Sequence, residues 1–518
     1  MTPTMRSRAG FSAGIVLLAS IQISCGSDSQ LTRASRSASA AGAAAHVAYL
    51  ASDALLGRNT PSPGLDTAAA YIARQFQQAG LQPVRGAWTQ EVRMQTVALG
   101  DSNALSLTVS GKDTAFAIKD DFVPFDMTAD RLVQGDLVFA GYGITAPDLT
   151  YDDYDGVDVR GKIVVIFRHE PRENDTTSRF NSRKNADRWG MAAKVKRARE
   201  HGAVGMLVMN EPLSHMSLTP RGYPWPSLSR IIPKDALPMT LMADDTEKIP
   251  VVHVGERVIT ALFGSVDSLK QLQQRIDTGL RPASFTFRGV TGTVRTSTVV
   301  TVHRAQNVVG MVPGADSTLS DAPVVIGAHY DHVGYKKNSP AGTDSIFNGA
   351  DDNASGTAGL IEVAKAAGAM GTRPARPILF IAFAGEEKGL FGSEWYARHP
   401  LFPLPRTRAM LNMDMVGMNA PDSLLLIAQE RHRSLEDVAR SVNDGSGFTL
   451  VTSNLESGGS DHMSFTKRDV PALFFHSGLT PYYHKVVDEA SLLNPDKIAR
   501  VAGLVFRTAW TLAGSPHR

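Results

Sequence analysis

The sequence runs to 518 residues with a formal net charge of +2, 43% hydrophobic and 20% charged residues, and a single cysteine. That length exceeds one ordinary core, so two or three globular domains are expected. The near-neutral charge excludes nucleic-acid binding by counterion release, and one cysteine excludes internal disulfides and a cysteine-built zinc module.

At the N-terminus, Arg6 and Arg8 precede an apolar run from Phe11 to Ile23 that leads into Ser24-Cys25-Gly26. A charged start, a short apolar stretch and small residues predict an export signal over residues 1–25, and the run is short for a membrane-spanning helix. Ser24-Cys25 resembles a bacterial lipobox, which makes Cys25 the candidate for lipidation and membrane attachment. Gln22 stands where that motif has an aliphatic residue. The expected location is therefore periplasmic or on the outer membrane or cell surface as a lipoprotein, with plain secretion as the alternative. Residues 26–43, rich in Ser and Ala, read as a tether.

From Ala44 to Gln78, apolar residues recur at three- and four-residue spacing, which predicts helices stopped at Gly57 and Gly80. Short strands follow at "VRMQTVAL" and "ALSLTVSG", closing a first segment of the larger domain at residues 44–114. The character then changes. "GDLVFAGYGI", "GKIVVIFRH" and "VGMLVMN" are short apolar strands among Pro- and Gly-rich turns. Residues 115–290 are expected to form a small inserted β-rich domain without a His/Asp/Glu cluster, serving shape rather than chemistry.

From residue 291 to the end, near-continuous apolar strands alternate with helices. This predicts an α/β fold: a mixed, mostly parallel sheet sandwiched by helices. In such sheets ligands collect beyond the carboxyl ends of the strands. "VVIGA" runs into His329-Tyr330-Asp331, "ILFIAFAG" into Glu386-Glu387, "AMLNM" into Asp414, and "ALFFHSG" leads on to Tyr482-Tyr483-His484. A helix-opening "ADDNASG" adds two aspartates. Imidazoles and carboxylates without a thiolate suit two divalent ions of the zinc type, which can activate a water for hydrolysis. The chemistry also needs a carboxylate off the metals as general base. In an extended segment Glu386 and Glu387 would point to opposite sides, so one could ligate while the other faces substrate. The same alternation puts His329 and Asp331 on one side, with Asp331 able to hold the second imidazole nitrogen.

"GAHYDH", "GADDNASG", "AGEE", "NMDMVG", "GGSDH" and "YYHK" occur in the order found in the dizinc aminopeptidases of peptidase family M28, which this chain resembles from Val299 onward. The inserted segment resembles a protease-associated (PA) domain, and the early helices resemble that family's N-terminal ones. The resemblance implies a zinc-exopeptidase fold and two Zn2+ per chain. His329 and Asp414 would hold one ion, Glu387 and His484 the other, and Asp352 would bridge, followed by a cis peptide bond at Asp352–Asn353. It further implies Glu386 as general base, Tyr483 as oxyanion partner, and Asp331 and Asp461 as acids outside the ligand set, Asp461 orienting the last histidine. His332 and His462 read as loop residues beside the site, His476 as structural and Asp351 as a helper to its neighbour.

The implied activity is removal of N-terminal residues from peptides by an exported enzyme. A carboxypeptidase, a glutamine-cyclising relative or a non-catalytic binding protein on the same scaffold are the alternatives. A serine-hydrolase elbow is absent, since "FGSEW" and "GGSDH" both break the Gly-x-Ser-x-Gly pattern.

Overall fold

Val324–His329 reads VVIGAH, and all of its residues are buried. So are those of Ile378–Phe383 and Ala409–Met413, which is what strands covered on both faces require. The computed structural model describes residues 30–181, 186–221, 225–229, 236–244, 247–453 and 459–514. The segment expected to be an export signal, with Cys25, lies outside the described residues.

The chain divides into two units. One is built from the residues up to Met94 and from His303 on, the other from Gln95–Val302. In the first, the order of neighbouring strands is Thr298–Val312, Ile378–Phe383, Val324–His329, Ala409–Met413, Ala472–His476, Ser423–Ile427 and Thr449–Thr452. The four central members, from Ile378–Phe383 to Ala472–His476, run parallel. Thr298–Val312 and Ser423–Ile427 are antiparallel to their inner neighbours. His329, the Glu386-Glu387 turn and Asp414 therefore emerge at one rim.

Each face of this sheet has its own cover. Val325, Leu379, Ile381 and Met410 share a core with Tyr396 of the helix Phe391–Arg398 and Phe465 of the helix His462–Thr466. On the other face Phe76, from the helix Pro63–Gln78, meets Phe380 with ring centroids 6.0 Å apart. The helices Gly356–Gly368 and Pro495–Gly514 pack on each other and on the strand Val324–His329.

The second unit holds an eight-stranded sheet. Its centre is parallel: Arg131–Phe139, Ile163–Phe167, Gly205–Met209 and Val251–Val254. Helices Met191–Glu200, Glu256–Phe263 and Val266–Gly279 accompany it.

Three expectations change. The inserted unit is wider than 115–290, because Ala104–Val109 and Lys112–Phe116 complete its sheet. They do so through Ala104–Val109 pairing with Phe285–Thr296. The segment read as a tether is helical where described, at residues 30–35 and from Ala40 on. There Ser39 caps the helix Ala40–Leu50 by accepting from the Gly42 N–H. The first helix ends at Leu50 rather than Gly57, giving way to a 3₁₀ turn over Asp53–Arg58.

Arg58 explains that turn. Its guanidinium is 1% exposed and donates to the carbonyls of Tyr330 (2.8 Å), Asn348 (2.8 Å), Gly349 (3.0 Å) and Leu50. It thus ties the N-terminal segment to both loops that carry the aspartate-rich motifs. Burial lowers its pKa to about 10, while the charges of Asp331, Asp352, Asp488 and Glu387 act against that fall. Arg58→Met leaves those carbonyls without donors, and a loss of about 3 kcal/mol is expected in the urea unfolding of the first unit. An unchanged midpoint would show that the anchor carries no stability.

Candidate metal centre

The six scraps of sequence converge. His329, at the end of its strand, is 1% exposed, and its Nε2 lies 3.4 Å from Asp352 Oδ1 and 3.4 Å from Asp414 Oδ1. The other Asp352 oxygen, Oδ2, lies 3.1 Å from His484 Nε2, which is also 3.1 Å from Glu387 Oε2. Asp352 is thus shared by two donor groups, His329/Asp352/Asp414 and His332/Asp352/Glu387/His484.

The backbone around Asp352 is held on every side. Asp488 accepts from the N–H groups of Asp351 and Asp352. Asn353 Oδ1 caps the following helix through the Gly356 N–H (2.9 Å), and its Nδ2 donates to the Met413 carbonyl next to Asp414. The Asp352–Asn353 peptide is cis. Gly349 has φ +56, and a Cβ there would stand 2.3 Å from the Asp352 carbonyl and 2.4 Å from the His332 ring, so no other residue fits. Asp351 points away, accepting from the Gly417 N–H at 2.8 Å, and burial pushes its carboxyl up to about 7.

Glu386 and Glu387 diverge for a different reason from the one expected. They sit in a 3₁₀ turn, Glu386–Lys388, entered through left-handed Gly385, rather than in an extended segment. Three residues per turn set neighbours about 120° apart. Glu387 therefore reaches His332 and His484, whereas the charges acting on Glu386 are those of His329, Asp414, Asp461 and Glu387.

Asp331 also lies past the end of its strand, and its Oδ1 is 3.6 Å from His329 Nδ1, too far for a hydrogen bond. Its oxygens instead accept from the Thr60 hydroxyl and the Glu386 N–H, both at 3.0 Å. It anchors the turn that presents Glu386. Asp461 is fully buried on the His329 side. Burial raises its carboxyl to about 7, and the charges acting on it are those of His329, Asp331 and Asp414. Neither of its oxygens makes a hydrogen bond among the described residues, so it does not hold His484 as expected; its segment is fastened by Asn412–Ser460 and Ser393–Ser464 hydrogen bonds.

Tyr483 is half-exposed, its ring stacked on His484 with centroids 3.8 Å apart. Burial and the charges of Asp352, Glu387, Glu386 and Asp414 raise its phenol. His476 Nδ1 donates to the Asp414 carbonyl at 2.7 Å, and His462 packs on Phe474.

His332 belongs to the constellation after all. It is fully buried, with Nδ1 2.8 Å from Glu387 Oε1 and 3.8 Å from Asp352 Oδ2. The signal was a second imidazole three residues after His329. Strand alternation hid it, because the chain turns after His329 and period two no longer applies. Asp488 and Thr60 carried no motif.

The electrostatics call for cations. His329 Nδ1 and Nε2, Asp352 Oδ2, Asp414 Oδ1 and His484 Nε2 are buried atoms without a hydrogen bond among the described residues, although they crowd one another. Donor atoms that converge without aligning fit metal ions better than they fit each other. Burial opposes charge on His329, but Asp414 and Glu386, with Asp331 and Asp352, hold its pKa well above the ordinary value. Asp352 and Glu387 raise His484 to about 10.

Residues 307–509 match the model of peptidase family M28, and residues 133–262 match the PA domain. A probable leucine aminopeptidase of Arthroderma otae is 26% identical over 261 residues, 46% of this chain and 68% of that protein. Aminopeptidase YwaD of Bacillus subtilis is 28% identical over 215 residues, 40% of this chain and 44% of that protein. The solved aminopeptidase from Aneurinibacillus sp. strain AM-1 has a TM-score of 0.45 and 22% identity, over 94% of this chain and 96% of that one.

His484 without a metal holds its proton at neutrality and loses it only toward pH 10, so an entering cation must expel it. Zinc titration near pH 7, followed by calorimetry in two buffers of different ionisation enthalpy, should show release of about one proton or more per chain. Affinity should rise with pH. Binding without proton release would contradict this electrostatic balance.

Proposed function

With a domain of peptidase family M28 at residues 307–509 and a PA domain at residues 133–262, this chain is a hydrolase, and we propose that it is an exported zinc aminopeptidase removing N-terminal residues from peptides. The observation that carries this reading is the Asp352 carboxylate, one oxygen 3.4 Å from His329 and the other 3.1 Å from His484. A carboxylate shared in this way suits two zinc ions, one held by His329, Asp352 and Asp414, the other by Asp352, Glu387 and His484. When bound, such ions supply Lewis acidity toward the scissile carbonyl and lower the pKa of water.

The remaining chemistry belongs to the chain. Glu386 is the general base. Burial and the nearby Asp414, Asp461 and Glu387 hold its carboxyl well above the ordinary range, which suits a group that takes a proton from water and returns it to the leaving amine. Asp331, through the Glu386 N–H, fixes the turn that carries that side chain. The Tyr483 phenol stands on the exposed side of the site, where it can donate to the developing oxyanion. His332 steadies Glu387 from below.

The names of the relatives favour action at the amino end over carboxypeptidase or cyclising activity. The complete donor set speaks against a protein that only binds. The charged and apolar N-terminal residues support export, with Cys25 as the lipid attachment point.

Glu386→Gln should lower kcat on leucine p-nitroanilide by about 10²–10⁴-fold with metal content unchanged. N-acetylated peptides should not be cleaved, and equal turnover of free and blocked peptides would rule out an aminopeptidase. Cys25→Ser should move the protein from the membrane to the soluble fraction, and an unchanged distribution would dismiss the lipid anchor.

A further inference from the structure

The inserted unit contains a second convergence of imidazoles and carboxylates. Ile163–Phe167 and Gly205–Met209 are adjacent parallel strands, so the loops that follow them leave the sheet side by side. The first loop carries His169 and Glu173, the second Glu211 and His215. Each pair is spaced by four residues within a turn; in the second, the His215 N–H bonds to the Glu211 carbonyl at 2.9 Å.

The four side chains meet. His169 Nδ1 lies 3.0 Å from Glu173 Oε2 and 2.8 Å from Glu211 Oε2. His215 Nε2 lies 2.8 Å from Glu173 Oε1 and 3.5 Å from Glu211 Oε2. One donor atom from each residue falls within 4.8 Å of all the others. Bonds of about 2.0–2.1 Å to a tetrahedral ion put ligand atoms about 3.3 Å apart, so the spacing is that of a four-ligand shell.

We propose that His169, Glu173, Glu211 and His215 form a closed, structural binding site for a divalent transition metal of the zinc type, separate from the catalytic centre.

Three observations support the assignment. The mark of the catalytic centre recurs here: His215 Nε2 and Glu173 Oε2 are buried atoms without a hydrogen bond among the described residues, despite their close neighbours. Glu211 is braced for the role. Its side chain is fully buried, Oε1 accepts from the His169 N–H at 2.6 Å, and Oε2 turns to the cluster. The nearby buried cation is also committed elsewhere. Lys194 Nζ donates to the carbonyls of Phe167, Arg168 and His169, so its three hydrogens close the strand end and leave the carboxylates to the cluster. Four protein ligands leave no open position for substrate, which marks a structural rather than a hydrolytic ion.

The competing state is an ion pair in which a proton takes the metal's place. Burial opposes it, but Glu173 and Glu211 hold the His169 imidazolium up to about 9. Metal content distinguishes the two. The full chain, saturated with Zn2+ and dialysed against metal-free buffer, is compared with His169→Ala/His215→Ala by elemental analysis. The variant should hold about one equivalent less and hydrolyse an aminoacyl amide within about twofold of the parent. The difference is the readout, so the result does not depend on how many ions the catalytic centre takes. His215→Asn alone, at a partly exposed position, serves if the double variant does not fold. As a second measurement, Co2+ is added to a chain carrying Asp352→Asn and Glu387→Gln. One equivalent should give the visible absorption of four-coordinate cobalt, lost when His215→Asn is added. Equal metal content in parent and variant, or no such absorption, would overturn the site and leave the ion pair.

Discussion

The structure depends on one electrostatic constraint: carboxylates and imidazoles are crowded at a sheet rim that is too dry to leave them as they are. Asp352 and Asp414 are nearly buried, and His329 and Asp331 are buried outright. Protons on the histidines relieve part of the repulsion, but His329 Nε2, Asp352 Oδ2, Asp414 Oδ1 and His484 Nε2 do not align as hydrogen bonds among the described residues. Divalent cations held by these groups would relieve it. Arg58, Asp488, Asn353 and Gly349 keep the geometry from collapsing, each by fixing backbone rather than by touching the reacting atoms. That rigid frame is what catalytic electrostatics require, because dipoles and charges already in place need no rearrangement when the reaction begins.

Parallel strands make this crowding achievable. The strands ending at His329, Phe383 and Met413 lie side by side, so residues more than fifty positions apart share one rim. The inserted unit applies the same geometry on a smaller scale, with two parallel strands delivering His169 and Glu211 to each other. One topological rule accounts for the candidate metal centre in one unit and for a candidate structural ion site in the other.

Much of this could be read from the sequence, and what could not has physical causes. Apolar runs ending in acids and imidazoles pointed to the rim, and motif order picked out His329, Asp352, Glu386, Glu387, Asp414 and His484. The alternation rule failed where strands stop: Glu386-Glu387 is a 3₁₀ turn, and His332 swings back under Glu387. Nothing in the segment of Asp461 reports which histidine it lies beside; the charges acting on it are those of His329, Asp331 and Asp414. The His169/Glu211 cluster was invisible for a simpler reason. Its halves are 42 residues apart in ordinary-looking turns, and only the strand pairing joins them. The width of the inserted unit is likewise hidden in the sequence, because Ala104–Val109 finds its partner strand far along the chain.

The central claim is that Asp352 sits between two cations, one beside His329 and one beside His484. Anomalous scattering at the zinc edge, from crystals of the full chain grown with Zn2+, tests it directly. The account predicts two peaks flanking the Asp352 carboxylate. One peak or none at that position would contradict it.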